Sequence, residues 1–452
     1  YFMPYAYHVP AYKLGRWDGC VSYFSPGAVT YLNLLEEIIP VLVDEGYQIN
    51  IKDSRDSTAL DFITVTQETH KDKKWPKGHQ DAGKPIILRD YQVSIINQFL
   101  SQPQCLQEIA TGAGKTLITA TLSQCVEQYG GTLVIVPNKD LVTQTEKDYI
   151  NLGLDAGVYY GDRKELGKTH TICTWQSLNV LDKRFKDGES ELGLHDLIDG
   201  ISAIIVDEVH MAKADVLKRL LTGPFAKVPI RWGLTGTIPK EDWAYVSLVV
   251  SLGGVVNRLK ASDLQDQGVL ADCKVNVLQL QDTIQYNNYA SELSYLTTNE
   301  TRMDYITELL KDIIKGGNTL VLVDRIKAGK ILQEGLGDES VFISGSVKSA
   351  DRREQYDEVQ TADNKAIIAT YGVASVGIDI PRIFNLVLIE PGKSFVRVIQ
   401  SIGRGIRKAK DKNFVQIWDI TSSAKFSKRH LTERKKFYNE ARYPYTIEKI
   451  KW

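Results

Sequence analysis

Apolar and polar positions change rhythm along this chain. From residue 86 onward, short runs of aliphatic, often β-branched residues alternate with longer stretches of helical pattern. The runs are LVIVP at 133–137, HTICT at 170–174, AIIVDE at 203–208, TLVLVD at 319–324, AIIAT at 366–370 and NLVLIE at 385–390. Continuous runs of this kind predict strands buried on both faces, which means parallel strands joined by helices. They fall into two groups divided near residues 257–300, so two similar α/β lobes is the simplest arrangement. No short-period repeat is visible. Before residue 86 the pattern differs. Residues 67–85 (QETHKDKKWPKGHQDAGKP) are polar, with Pro and Gly, and read as a linker. Residues 1–66 are aromatic-rich. There LGRWDG at 14–19 and VSYF at 21–24 read as a turn between strand-like runs, and residues 31–53 as an amphipathic helix followed by a strand. The expected organisation is a small α+β domain at 1–66, a linker at 67–85, a first lobe at 86–262, a connector at 263–300 and a second lobe at 301–452.

Composition adds mainly exclusions. At 452 residues, 43% hydrophobic and 25% charged, the chain has ordinary globular values and room for two to four domains. The net charge of −1 gives no global basic footprint, so a polyanionic partner would need local basic clusters. One asymmetry exists: residues 402–452 carry fourteen Lys and Arg against five Asp and Glu. That tail is either a solvated helix face or a docking surface for nucleic acid or another domain. The five cysteines, Cys20, Cys105, Cys125, Cys173 and Cys273, are scattered without a C-x-x-C pair. This argues against zinc and for reduced thiols in a cytosol-like compartment. The longest apolar stretch, around Ala244 to Val256, is too short to span a bilayer, and no signal peptide is visible. The chain begins at Tyr1 rather than Met, so a trimmed or disordered start is expected.

Candidate chemistry begins at EIATGAGKT, 108–116. A glycine-rich turn lets backbone N–H groups approach phosphate, and the following helix N-terminus adds a positive dipole. Thr111, Gly112, Ala113 and Gly114 would form that turn, Lys115 would reach the β- and γ-phosphates of ATP, and Thr116 would ligate Mg²⁺. The strict G-x-x-x-x-G-K-[ST] pattern fails, because its first glycine falls at Ile109. AIIVDEVH at 203–210 puts two acids at the end of a buried strand, where α/β sheets bind ligands. Asp207 would hold Mg²⁺, and Glu208 would orient and deprotonate the attacking water.

With these residues the sequence resembles superfamily 2 helicases of the D-E-x-H class. The resemblance implies two RecA-like lobes and further roles, position by position. LRDYQ at 88–92 is similar to the adenine-reading segment, with Arg89 and Gln92 as base contacts. PNKDLVTQ at 137–144 matches P-x-x-x-L-x-x-Q, which implies strand contacts at Pro137 and Gln144. GDR at 161–163 and TWQSL at 174–178 imply backbone contacts at Arg163 and Thr174. LTGT at 234–237 implies coupling of hydrolysis to movement through Thr235 and Thr237, with His210 sensing the γ-phosphate.

In the second lobe QSIGRGIR at 400–407 fits Q-x-x-G-R-x-x-R. Arg404 and Arg407 are then candidate arginine fingers, worth on the order of 10³–10⁵ in rate, and Gln400 would approach the γ-phosphate or water. TYGVASVGIDIP at 370–381 implies Gly377 and Asp379 at the nucleotide cleft and Thr370 on a nucleic-acid phosphate. ISGSVKSADR at 343–352 matches a strand-tracking element less specifically. Arg16 and Trp17 could contact DNA by pairing and stacking, or Trp17 could anchor a small core.

G-x-W-D-G and the helix after it resemble the N-terminal domain of the UvsW family of phage recombination helicases, and more loosely the XPB-like group. This implies an ATP-dependent DNA helicase or translocase on forks, Holliday junctions, D-loops and R-loops, the last containing RNA–DNA hybrid. It also implies 3′→5′ polarity and action in the cytoplasm, a host's if the chain is phage-encoded. Two other classes share the motifs: an RNA helicase, and the motor subunit of a restriction-type translocase. A binding module with a relic ATP site is a third class, against which the intact Lys115, Glu208, Arg404 and Arg407 argue.

Overall fold

The computed structural model describes the chain except residues 1, 4–5, 26, 56–59, 78, 80, 212–213, 240–241, 345–358, 360–361, 374–381 and 393–410. It divides into two compact units, residues 1–109 with 114–258, and residues 110–113 with 259–452. Each is built around one sheet.

The first sheet contains β1 (Gln104–Ile109), β2 (Gly131–Val136), β3 (Ala156–Tyr160), β4 (Arg163–Lys164), β5 (His170–Thr174), β6 (Ile201–Val206), β7 (Ile230–Thr235) and β8 (Val255–Leu259). Their spatial order is β4-β3-β5-β2-β6-β7-β1-β8. From β3 to β1 every pairing is parallel, and β4 turns back antiparallel on β3. Helices cover both faces, so β2, β5 and β7 are buried at every position. Leu106, Leu133, Ile135, Ile204 and Val206 join one core, while Val134, Val136 and Ile172 face the other. Truncating a fully buried leucine such as Leu133 to alanine would cost about 2–5 kcal/mol.

The second sheet contains β9 (Asp272–Leu280), β10 (Thr319–Val323), β11 (Ser340–Ile343), β12 (Ala366–Thr370), β13 (Asn385–Ile389), β14 (Phe414–Ser422) and β15 (Tyr445–Ile450). The order is β11-β12-β10-β13-β14-β9-β15, parallel throughout. The region expected as a connector therefore supplies β9, which pairs with β14 over nine residues. At the end of β13, Glu390 adopts φ +43° and is fully enclosed. Arg302, 0% exposed, reaches Glu390 at 2.7 Å and Asp282 at 3.2 Å. Arg434 of the basic tail is likewise buried, paired with Asp419 at 2.8 Å. At least that part of the positive tail is interior.

The described residues of 67–85 make specific contacts. Gln67–His70 form a 3₁₀ turn, the Ile86 N–H donates to the Lys73 carbonyl at 2.8 Å, and Trp75 stacks on His79 at 3.9 Å. His70 is buried, with Nε2 2.9 Å from Thr121 Oγ1 on the helix Lys115–Val126. In the first 66 residues the helix expected after residue 31 is Leu35–Asp44, and a short helix, Pro10–Lys13, precedes it. The strand expected from Tyr47, Ile49 and Ile51 is absent. Among the described residues no strand pairs with that segment, and its apolar side chains face solvent instead. VSYF contributes one isolated bridge, Phe24 with Thr30.

Candidate active site

Both halves of the expected ATP site grow from strand ends in the first sheet. After β1 the chain turns through Thr111, Gly112, Ala113 and Gly114 into the helix Lys115–Val126. Gly112 and Gly114 hold φ of +91° and +82°, values that side chains strain to adopt. A Cβ on Gly114 would lie 2.6 Å from Gln92 Nε2. Glycine therefore lets the Gln92 carboxamide lie against the turn. Gln92 is the third residue of the helix Asp90–Leu100, and its Oε1 accepts from the Arg89 backbone N–H at 3.0 Å. Arg89 is exposed, and its guanidinium donates to the Tyr91 hydroxyl at 3.0 Å.

β6 ends at Val206 and delivers Asp207 and Glu208. The Asp207 N–H bonds the Ile135 carbonyl of neighbouring β2 at 2.9 Å, and Asp207 Oδ1 accepts from the Glu208 N–H at 2.8 Å. Glu208 sits at φ +50°, a conformation costing a non-glycine residue about 1–2 kcal/mol. Strain of this kind persists where the surroundings over-determine it. Here Lys115 Nζ holds Glu208 Oε1 at 2.6 Å, with the two side chains 9% and 10% exposed.

The pair adjoins His210 and Thr235, the residues expected to couple hydrolysis to movement. Glu208 Oε2 is 3.5 Å from His210 Nδ1, and His210 Nδ1 is 2.7 Å from Thr235 Oγ1. Thr235 gives its hydroxyl hydrogen to the Thr237 carbonyl at 2.8 Å, so it accepts from His210. That assigns the imidazole proton to Nδ1. Burial pushes the His210 pKa down, the Glu208 carboxylate opposes this, and the Lys115 ammonium adds to it. Lys115, Glu208, His210, Thr235 and Thr237 thus form one connected chain. Thr116 and Asp207 are half-buried beside it in sequence. A hydroxyl and a carboxylate are hard oxygen donors that fit Mg²⁺, which takes the rest of its shell from phosphate and water.

The model "Type III restriction enzyme, res subunit" matches residues 85–240, and "Helicase conserved C-terminal domain" matches residues 301–409. The ATP-dependent DNA helicase UvsW of Enterobacteria phage T4 is 24% identical over 455 residues, covering 95% of this chain and 86% of that protein. The chain belongs to the superfamily 2 helicases. The helicase is also 29% identical to the DNA 3'-5' translocase XPB2 of Sulfurisphaera tokodaii over 184 residues, 40% of this chain and 37% of that one. In fold it is similar to a fragment structure of a putative HsdR subunit of a type I restriction enzyme from Vibrio vulnificus. That likeness has a TM-score of 0.60 at 17% identity, over 80% of this chain and 68% of that one.

The helicase's remaining candidates are dispersed. Pro137 ends β2 and its carbonyl accepts from Gln176 Nε2 at 3.1 Å. Asn138 caps the helix Lys139–Asn151 through the Leu141 N–H, and Gln144 lies half-buried on that helix. Thr174 is buried, its hydroxyl accepting from the Ser177 N–H at the start of the helix Trp175–Lys186. Arg163 is exposed on β4 but held by Glu146 and Glu165, each at 2.6 Å. Trp17 is half-buried and donates from Nε1 to the Cys20 carbonyl at 2.8 Å, while Arg16 is exposed. Thr370 is half-buried at the end of β12. Gly377, Asp379, Gln400, Arg404 and Arg407, with most of 343–352, lie outside the described residues. Sequence reasoning passed over His70 and Glu146. Their partners, Thr121 and Arg163, are 51 and 17 residues away, so no local pattern announces them.

Proposed function

We propose that this ATP-dependent helicase acts on DNA, unwinding or branch-migrating forks, Holliday junctions, D-loops and R-loops in recombination, repair and replication. The observation that carries the cargo is the reach of the UvsW similarity. It extends over 95% of the chain and so into the N-terminal segment, which neither family model covers. The named activities of UvsW and of XPB2 both concern DNA. The XPB2 name also supports 3′→5′ movement. Kinship with a phage protein supports action in a host cytoplasm. No helix among the described residues is long and apolar enough to cross a membrane.

In this reading ATP enters against the 111–116 turn, with Arg89 and Gln92 on the base. Lys115 leaves Glu208 for the β- and γ-phosphates. Glu208, released, takes a proton from the attacking water. Mg²⁺, held by Thr116 and Asp207, would neutralise phosphate charge. Arg404 and Arg407 stabilise the transition state, Gln400 contacts the γ-phosphate or water, and Gly377 and Asp379 complete the nucleotide contacts. His210, bonded to Thr235, passes the phosphate state to Thr237. Arg16, Trp17, Pro137, Gln144, Arg163, Thr174 and Thr370 hold the nucleic acid.

The test uses fluorescently labelled four-way junctions, forks, linear duplexes and RNA duplexes of equal length. ATP-dependent strand separation of the branched DNA, well ahead of linear duplex and RNA, is expected. Equal or faster separation of RNA duplex would overturn the proposal.

A further inference from the structure

The N-terminal segment is built into the first unit. The helix Asp242–Leu252 (DWAYVSLVVSL) is apolar around most of its circumference and buried from two directions. Leu248 and Leu252 enter the main core, whereas Val246, Val249 and Val250 meet Tyr23 and Leu34, with Val21, Tyr31 and Ile38 around them. Tyr23 is 7% exposed. Its hydroxyl donates to the Trp243 carbonyl at 2.8 Å and lies 2.5 Å from Ser247 Oγ, which must then donate to it. Lys218 Nζ stands over the Tyr23 ring, 5.0 Å from its centroid. Asn33 adds a second attachment, donating to Gln104 Oε1 at 2.8 Å and to the Val250 carbonyl at 3.3 Å.

These contacts fall on two particular helices. Lys218 belongs to the helix Ala214–Thr222, which follows His210 and the 3₁₀ turn Val209–Met211. Trp243 and Ser247 belong to the helix that follows Thr235 and Thr237. At the ATP site His210 and Thr235 are themselves hydrogen-bonded. The segments holding His210 and Thr235, which meet beside Glu208, therefore each lead into a helix, and both helices present a group to Tyr23. Packed elements shift as bodies, because interiors are close-packed and bistable rather than soft. A relative shift of these two helices is registered at a side chain whose hydroxyl bonds one of them and whose ring lies under a lysine of the other.

We propose that Tyr23 is a positioning residue that carries the state of the ATP site into the N-terminal segment. The inference rests on the reading of Lys115 and Glu208 as the hydrolytic pair. It adds a physical link between that pair and the part of the chain outside both family models. The link is reciprocal: cargo held by the N-terminal segment biases the same two helices and hence the His210–Thr235 contact.

The test is hydrogen–deuterium exchange on the full chain, with and without Mg²⁺ and a non-hydrolysable ATP analogue. Tyr23→Phe keeps the ring, its packing and the lysine contact, but loses both hydroxyl bonds. Ser247→Ala removes one of the two and serves if the first variant fails to fold. In the wild-type chain the analogue is expected to alter amide exchange both at 108–116 and at 21–34. In either variant the change at 108–116 persists and the change at 21–34 is lost. Base pairs opened per ATP then fall roughly fivefold with basal ATPase unchanged. Nucleotide-dependent exchange at 21–34 that survives in both variants, or is missing from the wild-type chain, overturns the proposal. A wild-type chain unresponsive at 108–116 fails the underlying reading as well, which separates the two failures.

Discussion

The Lys115–Glu208 pair makes a prediction beyond loss of hydrolysis. In this structure the Lys115 ammonium is paired with a buried carboxylate 2.6 Å away. In the proposed mechanism, nucleotide breaks this ion pair before Lys115 serves the phosphates. Glu208→Gln keeps the shape, and its amide oxygen still accepts one hydrogen bond from Lys115, but the ionic part is gone. A buried charge-assisted bond contributes about 1.5–3 kcal/mol. Taking about 2 kcal/mol, the variant should bind Mg·ATP roughly 30-fold more tightly than wild type. Two further effects have the opposite sign. The ATP-free variant carries an uncompensated buried ammonium and melts lower, as broken buried pairs cost about 3–5 kcal/mol at the upper end. Bound nucleotide then restores more stability than it does in wild type. Turnover falls by about 10²–10⁴, the contribution of a positioned general base. Fluorescent-nucleotide titration, melting with and without a non-hydrolysable analogue, and steady-state ATPase read the three quantities. Unchanged or weaker nucleotide affinity, or turnover within about threefold of wild type, would refute the reasoning.

Further outcomes follow from the same geometry. Gly114→Ala drives a Cβ to 2.6 Å from Gln92 Nε2 at a φ of +82°, so nucleotide affinity should drop at least about tenfold with the fold retained, read by titration and circular dichroism. His70 is held neutral by burial with its pKa lowered to about 4. The unfolded chain therefore takes up that proton first, near its ordinary value of 6.5, and stability is lost as pH falls from about 6.5 toward 4. Wild type should lose more melting temperature between pH 7.5 and pH 5 than His70→Gln does; parallel curves would exclude that role. Arg163→Ala should weaken nucleic-acid binding uniformly across sequences and reduce the salt slope by about 1, in binding isotherms at several salt concentrations. Removing residues 1–66 uncovers Val246, Val249 and Val250 and should destabilise the first unit by about 4 kcal/mol, measured by denaturant melts. The proposed contacts of Arg16 and Trp17 with nucleic acid are therefore tested more cleanly by point variants than by truncation.

How far the sequence reached depended on where burial left a signature. The six runs expected as parallel strands are strands, because interior parallel strands are buried on both faces and so mostly apolar. Strands with wet or short edges went unread. β4 has two exposed residues, and β15 (YTIEKI) is mostly exposed, so neither shows a continuous apolar run. β9 reads as connector in the sequence because DCKVNVLQL carries polar residues along a strand of mixed burial. Tyr47, Ile49 and Ile51 misled in the opposite direction: alternation predicts a strand, but pairing needs a neighbour that the segment lacks among the described residues. At the site, Lys115 and Glu208 could be named from motif spacing. Their contact, and the chain from His210 to Thr235, spans 93 and 25 residues of sequence and exists only in the fold. The packing of Tyr23 on Ser247, 224 residues away, had no local signal either.

The central claim is that one ATP site, centred on Lys115 and Glu208, drives movement on branched DNA. Steady-state ATPase rates of wild type and Lys115→Ala, across single-stranded, duplex, forked, four-way and RNA substrates, test it most directly. Wild type should be stimulated most by forked and four-way DNA and not by RNA, with Lys115→Ala silent on every substrate. Equal stimulation by RNA, or near-normal turnover in Lys115→Ala, would contradict it.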